Sequence, residues 1–361
     1  MTMRSIRSIA LACLAAAAMV GQGFAQDSGQ EGEEDQNLVA ELVVKPSEPG
    51  PAWWRVSDAD SRVYILIFPD TSIRDMPWDK TVLERRMAGA NQLLTPMGFN
   101  LLDPRSLPGI TAAVVQSPKL IFAGKPPKPP KADKNAPPPP TLEEQLPPDI
   151  RARFVAMREA IGQPAERYAE MSFPEAARRI AADYRAKQGL VGGEVMRTAN
   201  ASAQRNKVPK EPAYDFIVPV ANFKVESHGA IGGPECIEWA MTQAAERVKL
   251  DREVYQAWME GDVRGLLKRP RRAQGPRCEG AGMSAGNNDP KLTAKMNEDF
   301  RDQQVKSLEK ALRKPGRTVA LLSVTSPFGG NGGASLLGVD GVLERLKAKG
   351  YQVDTPAVLG D

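Results

Sequence analysis

The chain holds a single histidine among its 361 residues, His228, two positions after Glu226 in the stretch KVESH. On an extended strand, residues two apart share a face. Lys224, Glu226 and His228 would then line one side, with Phe223 and Val225 behind them. An imidazole beside a carboxylate can pass a proton near neutral pH. The same spacing also describes a solvated strand end ahead of the turn at Gly229…Gly232-Gly233, and this plainer reading is preferred. The other acid with chemical promise is Asp70. It follows Pro69, where the apolar run Val63 to Phe68 stops, and strand ends in α/β proteins commonly carry reacting groups. Asp70 can ligate a hard cation, or it can serve as a turn acid that bonds nearby backbone N–H groups.

What is missing narrows the chemistry further. One histidine cannot supply a two-imidazole metal site, and no Gly-x-Ser-x-Gly elbow is present. Gly329-Gly330-Asn331-Gly332-Gly333 could cradle an anion on backbone N–H groups. It lacks the lysine and spacing of a phosphate loop, so a surface loop is the better reading. Lys268-Arg269-Pro270-Arg271-Arg272 with Arg277 could touch anionic lipid or a surface polymer. No aromatic residue is interleaved and no nucleic-acid motif accompanies it, so it reads as a solvated basic loop and no nucleic-acid partner is expected.

The elements that must position these residues begin after an export signal. Arg4 and Arg7 precede an apolar Ser8–Val20 run, and Gly23-Phe24-Ala25 offers small residues for cleavage after Ala25. That is the pattern of a secretory signal peptide over residues 1–25. It places the mature protein in the periplasm or outside the cell. Loss of the two arginines lowers the formal charge from +4 to +2, which suggests no polyanion partner. No later run is long and apolar enough for a membrane helix. Cleavage also removes Cys13 and leaves Cys236 and Cys278, an even pair in an oxidising compartment. A disulfide between them is expected, worth about 4 kcal/mol in the chain-entropy model.

Residues 26–38 form an acidic flexible leader, and 39–361 read as one domain. A spacer at 124–148 interrupts it, with ten prolines and no aromatic residue. Ala52–Val56 and Arg62–Phe68 read as strands joined by a turn, and Asp79–Leu94 as a helix. A helical insertion follows over about 149–313. Within it, helices are expected at Asp149–Ile161, Pro174–Lys187, Pro234–Val248, Asp251–Leu267 and Asp289–Arg313. A loop is expected over 200–212 and a strand over Tyr214–Glu226. Thr318–Val324, Gly341–Ala348 and Tyr351–Val353 form a C-terminal strand, helix and strand, which points to a parallel pair joined by a crossover. The fold class is α/β or α+β, with a central mixed sheet.

Three stretches carry a resemblance. PAWWRVSDADSRVYIL, YQAWMEGDVRGLL and RTVALLSV…LLGVDGVLERLKAKGYQV together resemble the entry strands, the Gly-Asp helix and the closing block of the TraB/GumN family, relatives of the Tiki proteases. The resemblance implies metal-dependent hydrolases with two Gly-x-x-His motifs at strand ends and a glutamate, where a bound ion would activate water. Transferred residue by residue, the first motif falls on Ile67-Phe68-Pro69-Asp70 and the second on Gly332-Gly333-Ala334-Ser335. Aspartate and serine stand where the histidines would be. The glutamate maps to Glu226, and an arginine of the long helix maps to Arg301.

The expectation is therefore a catalytically degenerate, non-enzymatic member of the bacterial envelope that binds a peptide, a glycan or an envelope protein and carries no cofactor. One alternative is a divergent peptidase using Asp70, Glu226 and His228 with a divalent metal. Another is an assembly component that binds through its proline-rich spacer.

Overall fold

The computed structural model describes residues 50–99, 139–216, 226–228, 232–267, 278, 282–284, 290–324 and 336–356. The leader and the first part of the spacer lie outside these residues. The fold is mixed α/β around a six-stranded sheet whose strands lie in the order Gln352–Asp354, Trp53–Ser57, Ser61–Phe68, Gly316–Ser323, Gln92–Thr95, Lys210–Pro212. β1 (Trp53–Ser57) and β2 (Ser61–Phe68) form the expected hairpin, with Trp53 opposite Leu66 and Val56 opposite Val63. β2 is buried along almost its whole length, as its unbroken apolar run requires of a central strand. β11 (Gly316–Ser323) lies parallel to it in a register that places Ser323 opposite Phe68, so both strands end at the same edge.

β4 (Gln92–Thr95) and β7 (Lys210–Pro212) extend the sheet on the far side of β11, both in parallel pairing. Leu93 and Leu94 are thus strand residues, where the sequence suggested the tail of a helix. The helix α1 (Thr81–Met87) stops early because Gly89 takes a left-handed φ of 77° just past its end. The freed leucines pair with β11 instead. β12 (Gln352–Asp354) runs in the same direction as β11 but pairs antiparallel with β1, so the expected parallel neighbours are separated by β1 and β2. The Arg55–Asp354 ion pair, at 2.6 Å, ties that edge strand down.

Two apolar clusters sit on this frame. The larger packs around the central strands. The smaller gathers α2 (Leu142–Gln145), α3 (Pro148–Ala160), α4 (Phe173–Lys187) and the first half of α6 (Glu235–Met259). Tyr184 of α4 packs against both. The end of the proline-rich stretch is not spacer. Thr141 closes a capping box with Glu144, and Leu142 and Leu146 are buried in the smaller cluster.

α5 (Glu194–Arg205) covers half of the expected 200–212 loop, because Val195, Ala199 and Ala203 recur every fourth residue and are all buried. The two helices expected over 234–267 are one helix of 25 residues, α6. Lys249-Leu250-Asp251 contains no breaker, and the chain turns only at Gly261, whose φ is 72°. Asp262 then caps the short α7 (Val263–Leu266) by accepting from the Gly265 N–H. α8 (Pro290–Leu312) and α9 (Val342–Ala348) fall where the sequence places them. Cys236 and Cys278 form the expected disulfide, with the Cα atoms 5.6 Å apart. No helix among the described residues is long and apolar enough to cross a membrane.

Candidate functional site at the end of the central strands

Pro69 has no N–H to continue the ladder, so the chain leaves the sheet there. The last bond across the pair runs from the Val324 N–H to the Phe68 carbonyl, at 3.1 Å. Asp70 follows in the open, and its carbonyl accepts from the Gly193 N–H at 3.2 Å. The chain then enters β3 (Thr71–Ile73), which pairs antiparallel with β6 (Leu190–Gly192). Asp70 is thereby presented at the carboxyl edge of two parallel strands, between sheet and ribbon.

Three elements close on it. Ser323, the last residue of β11, donates its hydroxyl to Asp70 Oδ1 at 2.6 Å. From α4, Arg185 Nη2 donates to Thr71 Oγ1 at 3.1 Å and to Asp251 Oδ2 at 2.9 Å. From α6, Asp251, Tyr255 and Trp258 stand at i, i+4 and i+7, one face of the helix. Tyr255 donates its hydroxyl to the Met76 carbonyl at 3.0 Å, and Trp258 Nε1 donates to the Ile67 carbonyl at 2.8 Å. α6 therefore holds the backbone on both sides of Asp70 while bringing a second carboxyl within reach of its charge. Trp258 also packs its ring 5.1 Å from that of Trp78.

The electrostatics follow from this placement. Burial pushes the Asp251 carboxyl above its usual range; the Arg185 and Arg247 charges pull it back without winning, and the charge of Asp70 pushes the same way as burial. Burial also raises the Tyr255 hydroxyl to about 12, so it remains a neutral donor.

Of the other residues named from the sequence, Glu226, His228 and Arg301 sit on other elements. Glu226 and His228 lie on β9 (Glu226–His228), which pairs with β10 (Gly282–Ser284) in a two-stranded ribbon outside the six-stranded sheet. The strand pairing therefore does not bring them to the edge that carries Asp70. Arg301 lies on α8 and pairs with Glu298. Glu298 in turn reaches Arg345, which also binds Asp302 and Asp340. That network braces α8 against α9. Ser335 lies outside the described residues. Among the described residues, no three His, Cys, Asp or Glu side chains gather as a metal cluster would.

Residues 52–355 of the chain match the TraB/PrgY/gumN family. The chain belongs to this family. No individual curated protein and no solved structure matches it. In this TraB/PrgY/gumN protein the constellation at the strand ends, Asp70, Thr71, Arg185, Asp251 and Ser323, is one that reading the sequence found only in part. Asp251 and Arg185 look like ordinary helix-surface charges until the fold brings α4 and α6 together. The signal that could have found Asp251 was its helical spacing from the two aromatic residues of the family's YQAW stretch.

The described residues at this edge do not fit the divalent ion that the family resemblance implies. Asp70 spends one oxygen on Ser323, and Asp251 is held by a guanidinium. Hydroxyls and an arginine are poor substitutes for neutral imidazoles, and a fixed cation beside the acids opposes a second one.

Proposed function

We propose that this chain is an exported TraB/PrgY/gumN-family protein that binds a peptide, glycan or envelope protein at the ends of the central strands and performs no hydrolysis there. The observation that carries the reading is the short Ser323–Asp70 hydrogen bond. It ties the carboxylate standing at the family's first histidine position to a hydroxyl at the end of the neighbouring strand. Export is supported by the signal-peptide pattern at residues 1–25 and by the Cys236–Cys278 disulfide, a bond that persists in oxidising compartments. The strand ends remain a place for a ligand because Asp70 is exposed and a half-exposed arginine, Arg185, is bonded to the next residue, Thr71.

Thermal melting of the purified protein with Mn²⁺, Co²⁺ or Zn²⁺ tests this. A ligand that binds only the native state must raise the melting temperature. The expected result is no shift with any of the three ions and no chelator-sensitive peptide cleavage. A saturable rise of about 3 °C or more, accompanied by metal-dependent cleavage, would overturn it.

A further inference from the structure

We propose that the acidic leader docks on the basic amino edge of the central sheet, an exposed surface at the opposite end of the strands from Asp70.

The edge is built where β2, β11 and β7 begin. Arg62 stands opposite Arg317 in the parallel register of β2 and β11, and its neighbour on β1 is Ser57, so the row holds two like charges and no acid. Like charges side by side on neighbouring strands repel. Arg317 Nη1 donates to the Arg85 and Ala88 carbonyls, at 3.3 and 3.2 Å, which brings the end of α1 to the same corner. Arg313 and Lys314 come just before β11, where the Pro315 carbonyl accepts from Asn91 Nδ2 at 2.8 Å. The charge of Lys314 reaches Glu211 of β7, the residue after Lys210, and Glu211 is already bonded to Lys310 at 2.8 Å. Apart from Arg317, the cations of this edge are exposed, and among the described residues no acid pairs with Arg62, Arg313 or Lys210. The turn between β1 and β2 contributes the opposing acids Asp58 and Asp60, too few to balance them.

The occupant that fits is in the chain itself. Asp27, Glu31, Glu33, Glu34 and Asp35 put five negative charges into nine residues, with no basic residue among them. Opposite potentials on two surfaces steer them together. The tether is long enough. β1 enters the sheet at the end of β2 that leads to Asp70, with Trp53 opposite Leu66, so the leader must pass the length of β2, about 27 Å, to reach Arg62. Residues 36–49 can span up to about 48 Å. Joined to the domain, the leader meets the edge at an effective concentration of about 1 mM, enough for a contact made of individually weak, exposed ion pairs. Docked there, the five acids are drawn away from the strand ends, and the exposed Asp70 is left open to its own ligand.

The test is zero-length carbodiimide coupling of the exported chain, which starts at Gln26, read by peptide mass spectrometry. The reagent joins a carboxylate to a lysine amine only where the two touch. Leader acids should couple to Lys210 and Lys314 about tenfold more than to Lys80, Lys187 or Lys249, at a yield that does not depend on protein concentration and is lost at about 0.5 M salt. The double variant Arg62→Gln with Arg313→Gln keeps both lysines and should lower that coupling about threefold. Circular dichroism checks its fold, and either single variant replaces it if it does not fold. Coupling spread evenly over the exposed lysines would overturn the inference. Coupling chiefly to Lys125, Lys128, Lys131, Lys134 or Lys268 would overturn it by placing the leader on another basic stretch. A yield that rises with protein concentration would make the occupant the leader of a second copy and overturn it as well. A double variant that couples as the native chain does would overturn the assignment of the arginines.

Discussion

Helix α4 carries two members of Arg–Asp pairs two residues apart, and they behave in opposite ways. Asp183 faces the helical insertion. It takes two bonds from Arg167, at 2.6 and 2.8 Å, and a third from the Tyr168 hydroxyl at 2.9 Å. Burial would raise its pKa, yet the bonds from Arg167 and Tyr168 hold it below the usual carboxylate range. Arg185 faces the strand ends, where it bonds Thr71 and Asp251. Its partner Asp251 receives one bond from it, lies near a second acid, and is pushed upward by burial. The first pair is saturated and braces a helix against its neighbour. The second is under-bonded and crowded by like charge, the pattern by which functional sites are recognised. An Arg–Asp contact by itself says nothing of role; the number of donors on the carboxylate and the sign of its neighbours decide.

The largest effect should come from the staple on the insertion side. Cys236→Ser should cost about 4 kcal/mol in denaturant unfolding. Hydrogen exchange should rise first around α3 and the Asp183 pair, leaving the strands at Asp70 protected. Next is Trp258→Phe, which keeps the ring but leaves the Ile67 carbonyl without its donor. A loss of about 2 kcal/mol is expected, and the exchange change should centre on residues 67–76. Uniform loosening of both regions would erase the distinction between them.

Asp183→Asn should lower the melting temperature by about 3 °C at neutral pH. Because the native pKa of Asp183 is depressed, the stability it adds is present above the unfolded carboxylate value of 3.8 and disappears as pH falls through the native value. The gap between variant and native chain should close in acid. Asp251→Asn should do least at neutral pH, since removing a poorly solvated charge offsets the lost bond to Arg185. The native pKa of Asp251 is raised, so its favourable contribution exists below 3.8 and is lost as pH rises through that raised value. The native chain should therefore lose stability relative to the asparagine variant as pH rises across that interval, whereas at Asp183 it loses it as pH falls.

Much of the frame was legible because it rests on short-range patterns. The apolar run of β2, Pro174 in the first turn of α4 and Gly350 just past α9 each specify their element locally. The disulfide followed from counting cysteines. Errors arose where tertiary pairing decided the outcome. Leu93 and Leu94 fit a helix face until β11 offers a ladder. The second half of α5 reads as loop because Asn200 and Ser202, with Asn206 just past its end, mask the spacing of its small buried residues. Asp70 was found because a proline ends its strand, which is visible in one dimension. Its partners Ser323 and Asp251 are 253 and 181 residues further on, beyond any local pattern.

Carboxyl-carbon NMR titration of the two aspartates tests the contrast most directly. Labelled protein, assigned through Asp183→Asn and Asp251→Asn, should give one resonance titrating below 3.8 for Asp183 and one above it for Asp251. If Asp251 instead titrates below that value, it is a saturated structural ion pair like the first, and the strand ends lose the feature that marks them as a site.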